Sequence, residues 1–382
     1  MHSEWVHPRL SPAAPFDLAV VGAGIVGLAH AWEAARAGMT VVVIDRDERA
    51  VGASIRNFGH ICATAQDGVA LDYALVAREW WIEAAAAAGF AVRTDGTVVL
   101  ARTAAELAVL EEFAARRDGD SVRLLTAAEA RDRAGFGAPD VVGGAHLPLD
   151  LRVDSPSAVP ALTRHLAGLG VVFRFGEDVR SIDEGVVRTA DADYRAEAIV
   201  VCVGHDLDRL FPSLAAEHGL TRCRLRMMEI EPPRGARIDP GVFTGTSLLR
   251  YGGFASTDAA AAVRAELIER SPELIAHTIN LMCTQRPDGR VVIGDTHHYE
   301  RTLDPFDDEA LDSLLLREFA RLFAEDDLVV RRRWRGVYAS APEPYLVASP
   351  VPGVTVASVT SGIGMTTAFG LAPAVLAASL PA

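Results

Sequence analysis

The chain has 382 residues, of which 50% are apolar and 23% are charged. This length and apolar content favour a folded protein of two domains and exclude a largely disordered chain. The 37 basic and 51 acidic residues give a net charge of -14, which argues against nucleic acid and anionic membranes as partners. An anionic substrate must therefore be bound by a local cluster of cations.

The chain contains no lysine, so all 37 of its Lys and Arg residues are arginines. This excludes a phosphate-binding lysine, a Schiff-base lysine and a lysine general base. The cysteines are far apart and form no CxxC pair, which disfavours a disulfide framework or a zinc site. His297 and His298 have no third ligand nearby, so we predict no metal site.

The first fifteen residues lack the charged start and the apolar run of a signal peptide. No apolar stretch reaches the roughly eighteen residues that a membrane-spanning helix needs. We therefore expect no membrane span and a cytoplasmic location.

The first predicted elements form a βαβ unit. An apolar run at residues 16–21 is typical of a buried parallel strand, and the sequence GAGIVG follows at 22–27. A helix is predicted at 28–37 and a second strand at 40–44, which ends at Asp45. A strand, a glycine-rich turn, a helix and a strand followed by an acidic residue indicate a dinucleotide-binding unit.

Each glycine of the motif has a separate purpose in such a unit. Gly22 permits the tight turn, Gly24 lets the backbone approach a pyrophosphate, and Gly27 allows the helix to pack closely on the strand. The N-terminus of the helix then faces the phosphates. Asp45 lies about twenty residues further on, where it can bind a ribose hydroxyl.

The rest of the chain is predicted to alternate between parallel-sheet and antiparallel-sheet segments. Strands 277–282 and 290–294 flank Pro287-Asp288-Gly289, which indicates a hairpin. The predicted helices lie at residues 71–88, 104–116, 157–169, 310–323 and 365–379, and the remaining strands at 96–101, 171–175, 179–182, 186–189, 198–203, 223–231, 331–338, 345–348 and 354–359.

These elements predict an α/β fold with two interleaved domains. The first is a Rossmann-like nucleotide-binding domain with a parallel sheet, and the second is a substrate domain with an antiparallel sheet. The predicted nucleotide-binding segments are 15–80, 150–220 and 335–382, and the predicted substrate segments are 81–149 and 221–334.

The nucleotide is predicted to be FAD. The βαβ unit, the strand that ends at Val203-Gly204 and the glycine-rich segment SGIGMTT at 361–367 lie far apart in the chain, and FAD takes contacts from several distant segments. No second GxGxxG motif is present, so no separate NAD(P)H domain is expected. The reducing equivalents must therefore come from the substrate itself.

The motifs at 22–27, Asp45, ASIRNFGHI at 53–61 and SGIGMTTAFG at 361–370 resemble those of the D-amino-acid-oxidase-like FAD enzymes. Glycine oxidase, sarcosine oxidase and the D-amino acid dehydrogenases belong to that group, and the resemblance covers nearly the whole chain. GASIRNFGHI and GDTHHY, the latter at 294–299, further resemble flavoproteins that oxidise aminophosphonates. This narrower resemblance implies that the substrate is 2-aminoethylphosphonate or its N-methyl derivative, and that the product is phosphonoacetaldehyde.

The resemblance implies a set of FAD contacts. No cysteine follows Cys283, so the covalent flavin cysteine of some family members has no counterpart and noncovalent FAD is predicted. The implied contacts are Gly22, Gly24, Val26, Gly27, Asp45 and Arg46 for the ADP half, Ser54, Asn57, Phe58 and Gly59 along the isoalloxazine, Val179 at the adenine side, Gly204 after the return strand, and Gly362, Gly364, Met365 and Thr366 at the pyrimidine end.

The predicted substrate site departs from the family pattern. Amino-acid oxidases of this type often have W-x-G-[LV]-R-P, whose arginine holds the substrate carboxylate, whereas this chain has WRGVYASAPEP with Tyr338 at that position. This change favours a substrate without an α-carboxylate. The candidate substrate-binding residues are Arg56, Arg250, Tyr251, His297, Tyr299 and Tyr338, and the candidate catalytic residues are His60, His297 and Tyr338.

The predicted partners are a small anionic amine and an electron acceptor, either oxygen or another compound. The sarcosine-type oxidases use a lysine to promote the reaction with oxygen, so the absence of lysine leaves oxidase and dehydrogenase both open. A D-amino acid, glycine or sarcosine-type activity is the first alternative. A flavin-binding structural or tRNA-modifying protein is the second, and the acidic net charge argues against RNA.

Overall fold

The computed structural model describes residues 14–136 and 139–379. Most of the segment used above to exclude a signal peptide therefore lies outside the described residues. The strands are β1 (Phe16–Val21), β2 (Val41–Asp45), β3 (His60–Ile61), β4 (Val92–Arg93), β5 (Thr97–Ala101), β6 (Arg123–Thr126), β7 (Gly143–Leu147), β8 (Leu151–Val153), β9 (Val172–Phe175), β10 (Val179–Asp183), β11 (Val186–Thr189), β12 (Asp193–Val201), β13 (Thr221–Ile230), β14 (Gly241–Phe243), β15 (Met282–Gln285), β16 (Val291–Gly294), β17 (His298–Glu300), β18 (Val330–Val351) and β19 (Val354–Ser361). The helices are α1 (Ile25–Arg36), α2 (Gly68–Ala88), α3 (Ala104–Ala115), α4 (Ala127–Ala134), α5 (Ser155–Gly168), α6 (Leu207–Leu210), α7 (Pro212–Glu217), α8 (Gly252–Ala255), α9 (Ala260–Arg270), α10 (Pro272–Ala276), α11 (Glu309–Phe323) and α12 (Gly364–Ser379).

The strands β19, β12, β1, β2 and β9 lie side by side and pair in parallel. Successive residues of a strand point to opposite faces, so β1 and β2 contribute to two different hydrophobic clusters. Leu18 and Val43 pack with helices α1, α2, α5 and α12 on one face. Ala19 and Val42 pack with the β10–β11 hairpin and helices α6 and α7 on the other. The predicted α/β fold with a Rossmann-like parallel sheet is confirmed.

The second region of the sheet is mainly antiparallel. Its strands follow the order β6, β7, β5, β14, β15, β16, β13 and β18, with β14 and β5 paired in parallel. Its core includes Leu315 and Phe319 of α11, a helix that buries one apolar stripe against β13 to β16. Strand β18 joins the two regions, because residues 330–340 pair with β13 and residues 340–351 pair with β19.

Two details differ from the sequence-based expectations. Residues 331–338 and 345–348, predicted as separate strands, belong to the single strand β18. The strand predicted at 277–282 is instead a turn with a positive φ at Thr278, and its strand begins at Met282. The alternation of apolar residues there resembles a strand, but Asn280 exchanges both backbone hydrogen bonds with Asp295 and the chain turns towards that residue.

The interleaved domain boundaries stay a prediction. One of them, between residues 80 and 81, falls inside α2. On this helix, Trp81 donates a hydrogen bond of 2.8 Å to the carbonyl of Met365 and packs edge-on against Phe369. The helix is therefore attached to α12 at the residue where the predicted boundary falls.

Within the described ranges, no helix is long and apolar enough to cross a membrane. The same ranges bring together no group of three or more His, Cys, Asp or Glu side chains that could hold a metal ion. Cys62, Cys202, Cys223 and Cys283 are all buried and free.

Candidate functional site

A cavity of about 520 Å³ is lined by both regions of the sheet. Of the predicted site residues, Gly27, Gly59 and Tyr299 do not line it. Those that do are Gly22, Gly24, Val26, Asp45, Arg46, Ser54, Arg56, Asn57, Phe58, His60, Val179, Gly204, Arg250, Tyr251, His297, Tyr338, Gly362, Gly364, Met365 and Thr366.

The glycine-rich turn after β1 brings the N-terminus of α1 to the cavity. Gly22 has φ of 105°, and a Cβ there would lie 2.6 Å from the carbonyl oxygen of Cys202. A Cβ on Gly27 would lie 1.9 Å from the Gly22 oxygen, so Gly27 serves helix packing and not ligand contact. Among residues 14–136 and 139–379, a Cβ on Gly24 would meet Ser54 Oγ alone, at 3.2 Å. The backbone at Gly24 is thus open to the cavity, as a pyrophosphate requires.

Asp45 ends β2 at the edge of this turn. Its carboxylate accepts hydrogen bonds from the amides of Ala23, at 2.6 Å, and Asp47, at 2.9 Å. Burial raises the pKa of Asp45 above its ordinary value, although these two hydrogen bonds lower it. The neighbouring Arg46 pairs with Asp206 at 2.7 Å, so its charge is already balanced. Asp45 fits the predicted ribose site.

Replacing Asp45 by asparagine is expected to lower the affinity for FAD by about tenfold. A hydrogen bond to a charged acceptor contributes roughly 1.5–3 kcal/mol, against about 0.5–1.5 kcal/mol for a neutral one. The measurement is a titration of the apoprotein with FAD, followed by quenching of flavin fluorescence. Asp183→Asn, on the exposed β10–β11 hairpin, is the control, and an Asp45→Asn affinity equal to that of the control would contradict the ribose assignment.

The segment at 53–61 is held in shape by its own side chains. Asn57 donates from Nδ2 to the carbonyl of Ala53 at 2.8 Å, and its Oδ1 accepts from the amide of Gly59 and the hydroxyl of Ser155, both at 2.7 Å. Gly59 has φ of 67°, and a Cβ there would lie 1.8 Å from the carbonyl oxygen of Val153. Asn57 and Gly59 therefore shape the loop, and the contact of Gly59 with the flavin stays a prediction.

The N-terminus of α12 also reaches the cavity. Gly362 has φ of 78° and Gly364 begins the helix. Thr366 accepts a hydrogen bond of 3.2 Å from the amide of Cys62, which connects the helix to β3. Amides in the first turn of a helix stabilise negative charge, so this end of the cavity suits the predicted pyrimidine end of a flavin.

His60 lines the cavity and belongs to a buried polar network. Its Nε2 lies 2.6 Å from the hydroxyl of Thr97 and 3.5 Å from Oδ2 of Asp150. Asp150 is fully buried and accepts two hydrogen bonds of 2.9 Å from Thr64. Nδ1 of His60 has no hydrogen-bond partner among the described residues. A catalytic role of His60 stays a prediction.

Arg250 supplies a cation to the cavity wall, beside the N-terminus of α12. Its guanidinium donates to the carbonyl of Ser361 at 2.7 Å, and it lies 3.4 Å from Nε2 of His297 and 3.4 Å from the hydroxyl of Tyr338. The ion pairs formed by the described residues do not include Arg250. Arg56 lines the same cavity but is exposed, and its guanidinium donates to the carbonyl of Arg335 at 3.4 Å.

His297 forms hydrogen bonds within the protein through both of its ring nitrogens. Its Nδ1 lies 2.9 Å from the carbonyl of Thr278 and therefore carries the proton, so Nε2 accepts from Arg250. Burial, together with the charge of Arg250, lowers the pKa of His297 to about 3. His297 is thus neutral at physiological pH, and its Nε2 accepts a hydrogen bond from Arg250. Its predicted roles in substrate binding and catalysis stay predictions. Tyr299 stacks beside His297 and is exposed.

Tyr338 and Tyr251 are neutral phenols at the cavity wall. Burial raises the pKa of each hydroxyl well above 10. Tyr338 lies against Gly362, where a Cβ would be 2.9 Å from its ring. Tyr251 stacks on Phe243 and donates to the sulfur of Met282 at 3.7 Å. Both can donate hydrogen bonds, but a phenol with so high a pKa does not suit a catalytic base. The catalytic role of Tyr338 stays a prediction.

Asp295 is a cavity residue that the sequence analysis missed. It follows β16 and is 4% exposed, and its Oδ1 has no hydrogen-bond partner among the described residues. Burial raises its pKa to about 7, although Arg250 lowers it. The signal was present in the motif GDTHHY, of which we interpreted only the histidines and the tyrosine. Asp295 is recognised as a candidate functional residue because it is an acidic side chain buried at a cavity, and burial depends on the tertiary structure.

Several solved structures resemble this fold. Glycine oxidase from Geobacillus kaustophilus is 21% identical, with a TM-score of 0.75 over 96% of this chain and 94% of its own. Iminodiacetate oxidase from Chelativorans sp. BNC1 is 20% identical, with a TM-score of 0.74 over 96% of both chains. L-α-glycerophosphate oxidase from Mycoplasma pneumoniae, with FAD bound, is 16% identical, with a TM-score of 0.74 over 95% of this chain and 94% of its own. No curated protein sequence matches the chain.

Residues 17–377 match the protein family described as DAO, FAD dependent oxidoreductase. This match covers both regions of the sheet that line the cavity. The open backbone at Gly24, the carboxylate of Asp45 and the N-terminus of α12 fit the parts of FAD that they were predicted to hold. The chain therefore belongs to the DAO family of FAD-dependent oxidoreductases, and its cofactor is FAD.

Proposed function

We propose that the enzyme oxidises a small amine that carries a negatively charged group. The observation that carries this proposal is Arg250, a cation of the cavity wall that forms no ion pair with the described residues. Removing a guanidinium from water is costly unless an anion pairs with it. The substrate supplies that anion, which lies against the guanidinium, with the hydroxyl of Tyr338 as a further donor.

The second charged group of the cavity supports an amine. Asp295 is a buried carboxyl group on the same wall, and it forms no ion pair with an arginine of the described residues. A substrate with an ammonium group and an anionic group therefore finds an opposite charge for each. The structures of similar fold fit this interpretation, since glycine and iminodiacetate, after which two of them are named, are small amines with carboxylates.

We further propose that the anionic group is a phosphonate, with 2-aminoethylphosphonate or its N-methyl derivative as the substrate and phosphonoacetaldehyde as the product. Tyr338 replaces the arginine that holds an α-carboxylate in related amino-acid oxidases, while Arg56 adds a second cation to the same cavity. Two arginines and a phenol suit the several oxygens of a phosphonate dianion. A glycine- or sarcosine-type substrate is the second candidate, because the paired N–H groups of the Arg250 guanidinium also suit the two oxygens of a carboxylate.

The residues of the chain have separate tasks in this reaction. When bound, FAD supplies the acceptor for the two electrons of the C–H bond next to the nitrogen. Arg250 binds the anionic end of the substrate and neutral His297 holds the guanidinium in place. The oxidised substrate is an imine, which water hydrolyses to the aldehyde and ammonia or methylamine. We propose that FAD is bound noncovalently, so that acid precipitation releases it into the supernatant.

The first experiment is anaerobic reduction of the flavin by a panel of amines. We expect 2-aminoethylphosphonate and its N-methyl derivative to bleach the flavin absorbance, and sarcosine, glycine and D-alanine to bleach it far more slowly. Ethylphosphonate, which has no amine, should perturb the flavin spectrum without bleaching it. Propylamine, which has no anion, should react poorly.

Bleaching by the amino acids alone would overturn the phosphonate assignment and favour the second candidate. Equal rates with propylamine would overturn the requirement for an anion. Admission of air to the reduced enzyme then distinguishes an oxidase, which regains its colour at once, from a dehydrogenase, which stays bleached.

A further inference from the structure

We propose that the Asp295 carboxylate binds the ammonium group of the substrate and removes its proton before the C–H bond is broken. This inference rests on the proposed function, because it assigns the amine end of the same substrate. Small alkylamines are protonated at neutral pH, and a protonated nitrogen has no lone pair to support loss of hydride from the adjacent carbon. The enzyme therefore gains from a base at this position.

One carboxylate oxygen of Asp295, a residue of the cavity wall, is buried without a hydrogen-bond partner among the described residues. Nδ1 of His297 is 3.9 Å from Oδ1, but its proton is directed at the carbonyl of Thr278, 2.9 Å away. Oδ1 is buried and has no hydrogen-bond partner among the described residues. A buried oxygen of a carboxylate is costly without a partner. An ammonium group in the cavity provides the missing donor.

Arg250 and Asp295 carry opposite charges but do not form an ion pair with each other. Both side chains line one cavity, and Arg250 takes part in no ion pair of the described residues with Asp295 or any other carboxylate. A direct pair would cancel both charges and leave no attraction for a ligand. Two opposite charges that share a cavity without touching form a receptor for a zwitterion, with its anion at Arg250 and its ammonium at Asp295.

Asp295 is also the group of this cluster that changes charge near neutral pH. His297 lies two residues further along the same segment, and Arg250, Tyr251 and Cys223 interact with Asp295 from other segments. Arginine keeps its charge throughout. The pKa of His297 is lowered to about 3, that of Cys223 is raised to about 12 and that of Tyr251 is raised well above 10, all chiefly by burial. Burial raises the pKa of Asp295 to about 7, so it is ionised and able to act as a base above that pH.

The proposed step balances in charge and in atoms. One N–H bond of the ammonium breaks and one O–H bond forms on Asp295, so a positive nitrogen and a negative carboxylate both become neutral. The lone pair left on nitrogen then forms the C=N bond while the C–H hydrogen leaves with its two electrons, which FAD accepts. Water adds to the resulting iminium, and Asp295 returns its proton to solvent after the product leaves.

The test compares the pH dependence of flavin reduction by 2-aminoethylphosphonate in wild type and in Asp295→Asn. Under anaerobic conditions the wild-type rate at low substrate should rise with pH through an inflection near 7. The variant should lack this inflection and be slower at pH 7 by about 10²- to 10⁴-fold, the usual contribution of a positioned base. The difference should shrink at high pH, where the free amine is abundant. Asp295→Glu should restore part of the inflection.

Asp288→Asn is the matched control. This residue lies in the exposed turn between β15 and β16, outside the cavity, and should leave the profile unchanged. If Asp295→Asn is slower by the same factor at every pH, the residue has only a structural role and this proposal is overturned, whereas the proposed function stands. If no amine of the panel reduces the flavin of the wild-type enzyme, both the proposed function and the assignment of Asp295 are overturned.

A second measurement is independent of turnover. A carboxyl group whose pKa is raised on folding, here from 3.8 to about 7, binds its proton more tightly in the folded state. The protonated group therefore stabilises the folded state fully at pH values below its pKa in the unfolded chain. This stabilisation is lost as the pH rises through its pKa in the folded state. The melting temperature of wild-type apoprotein should therefore fall relative to that of Asp295→Asn between these two pH values and run parallel above them. Parallel melting curves across the whole range would show that Asp295 is not a perturbed buried acid, and would overturn the proposal.

Discussion

Replacement of Arg250 by methionine is expected to weaken binding of the anionic amine by about 10²- to 10³-fold while the FAD content stays unchanged. Loss of one partner of a buried, hydrogen-bonded charge pair costs roughly 2–5 kcal/mol, and each 1.4 kcal/mol corresponds to about a tenfold change. Arg250 lines the cavity and has no competing carboxylate in an ion pair among the described residues. The measurement is the dependence of the anaerobic reduction rate on substrate concentration, which separates binding from the reduction step.

Three further variants sharpen this test. Arg250→Lys keeps the charge but loses the pair of N–H donors with which a guanidinium binds two oxygens. It should therefore recover only part of the affinity for the substrate. Arg56→Ala should weaken binding only a few-fold, because exposed ion pairs contribute about 0–1 kcal/mol. Arg237→Gln, an exposed arginine that pairs with Asp239 outside the cavity, is the control. Unchanged substrate affinity in Arg250→Met, with normal flavin content, would refute the assignment of Arg250 as the anion-binding residue.

Replacement of Gly24 by alanine is expected to lower the affinity for FAD by about tenfold to 100-fold without lowering the melting temperature of the apoprotein. The residue has φ of -73°, which alanine adopts freely, and its Cβ would meet only Ser54 Oγ. The added methyl group therefore takes space from the pyrophosphate, and overpacking of this kind costs about 1–3 kcal/mol. FAD titration and thermal unfolding of the apoprotein provide the two readouts.

Gly27→Ala is the matched comparison, with the opposite pattern of effects. A Cβ there would lie 1.9 Å from the Gly22 oxygen and 3.1 Å from Val20, so α1 must move away from β1 even when no nucleotide is bound. We expect the apoprotein of this variant to melt at a clearly lower temperature. Equal destabilisation of the apoprotein by both substitutions would show that Gly24 also serves packing, and would remove the argument for a pyrophosphate at that position.

The nucleotide-binding half of the site could be predicted from the sequence because its determinants are local. Gly22, Gly24 and Asp45 belong to one βαβ unit whose backbone path follows from the order of its elements. The segments at 53–61 and 361–367 are contiguous motifs as well, and both line the cavity. Gly59, which was predicted to lie along the flavin, does not line the cavity, and it packs against the carbonyl of Val153.

The substrate half could be predicted as a list of residues but not as an arrangement. Arg250, His297 and Tyr338 come from separate segments and meet only in the folded chain. Their chemistry depends on burial and on partners that are distant in sequence. His297 shows this best, because burial and the charge of Arg250 keep it neutral, and the carbonyl of Thr278 leaves its Nε2 as a hydrogen-bond acceptor.

By itself, then, the sequence determined the fold class, the dinucleotide unit and the position of Asp45, because backbone conformation and strand burial follow from short runs of glycine and β-branched residues. Only the tertiary structure decided which charged groups are unpaired at the cavity, which histidine nitrogen carries a proton, and that Asp295 is a buried acid. The physical reason is that the charge state of a side chain is set by its solvation and its neighbours. In this fold, β18 and the turn before β15 bring those neighbours together from distant parts of the chain.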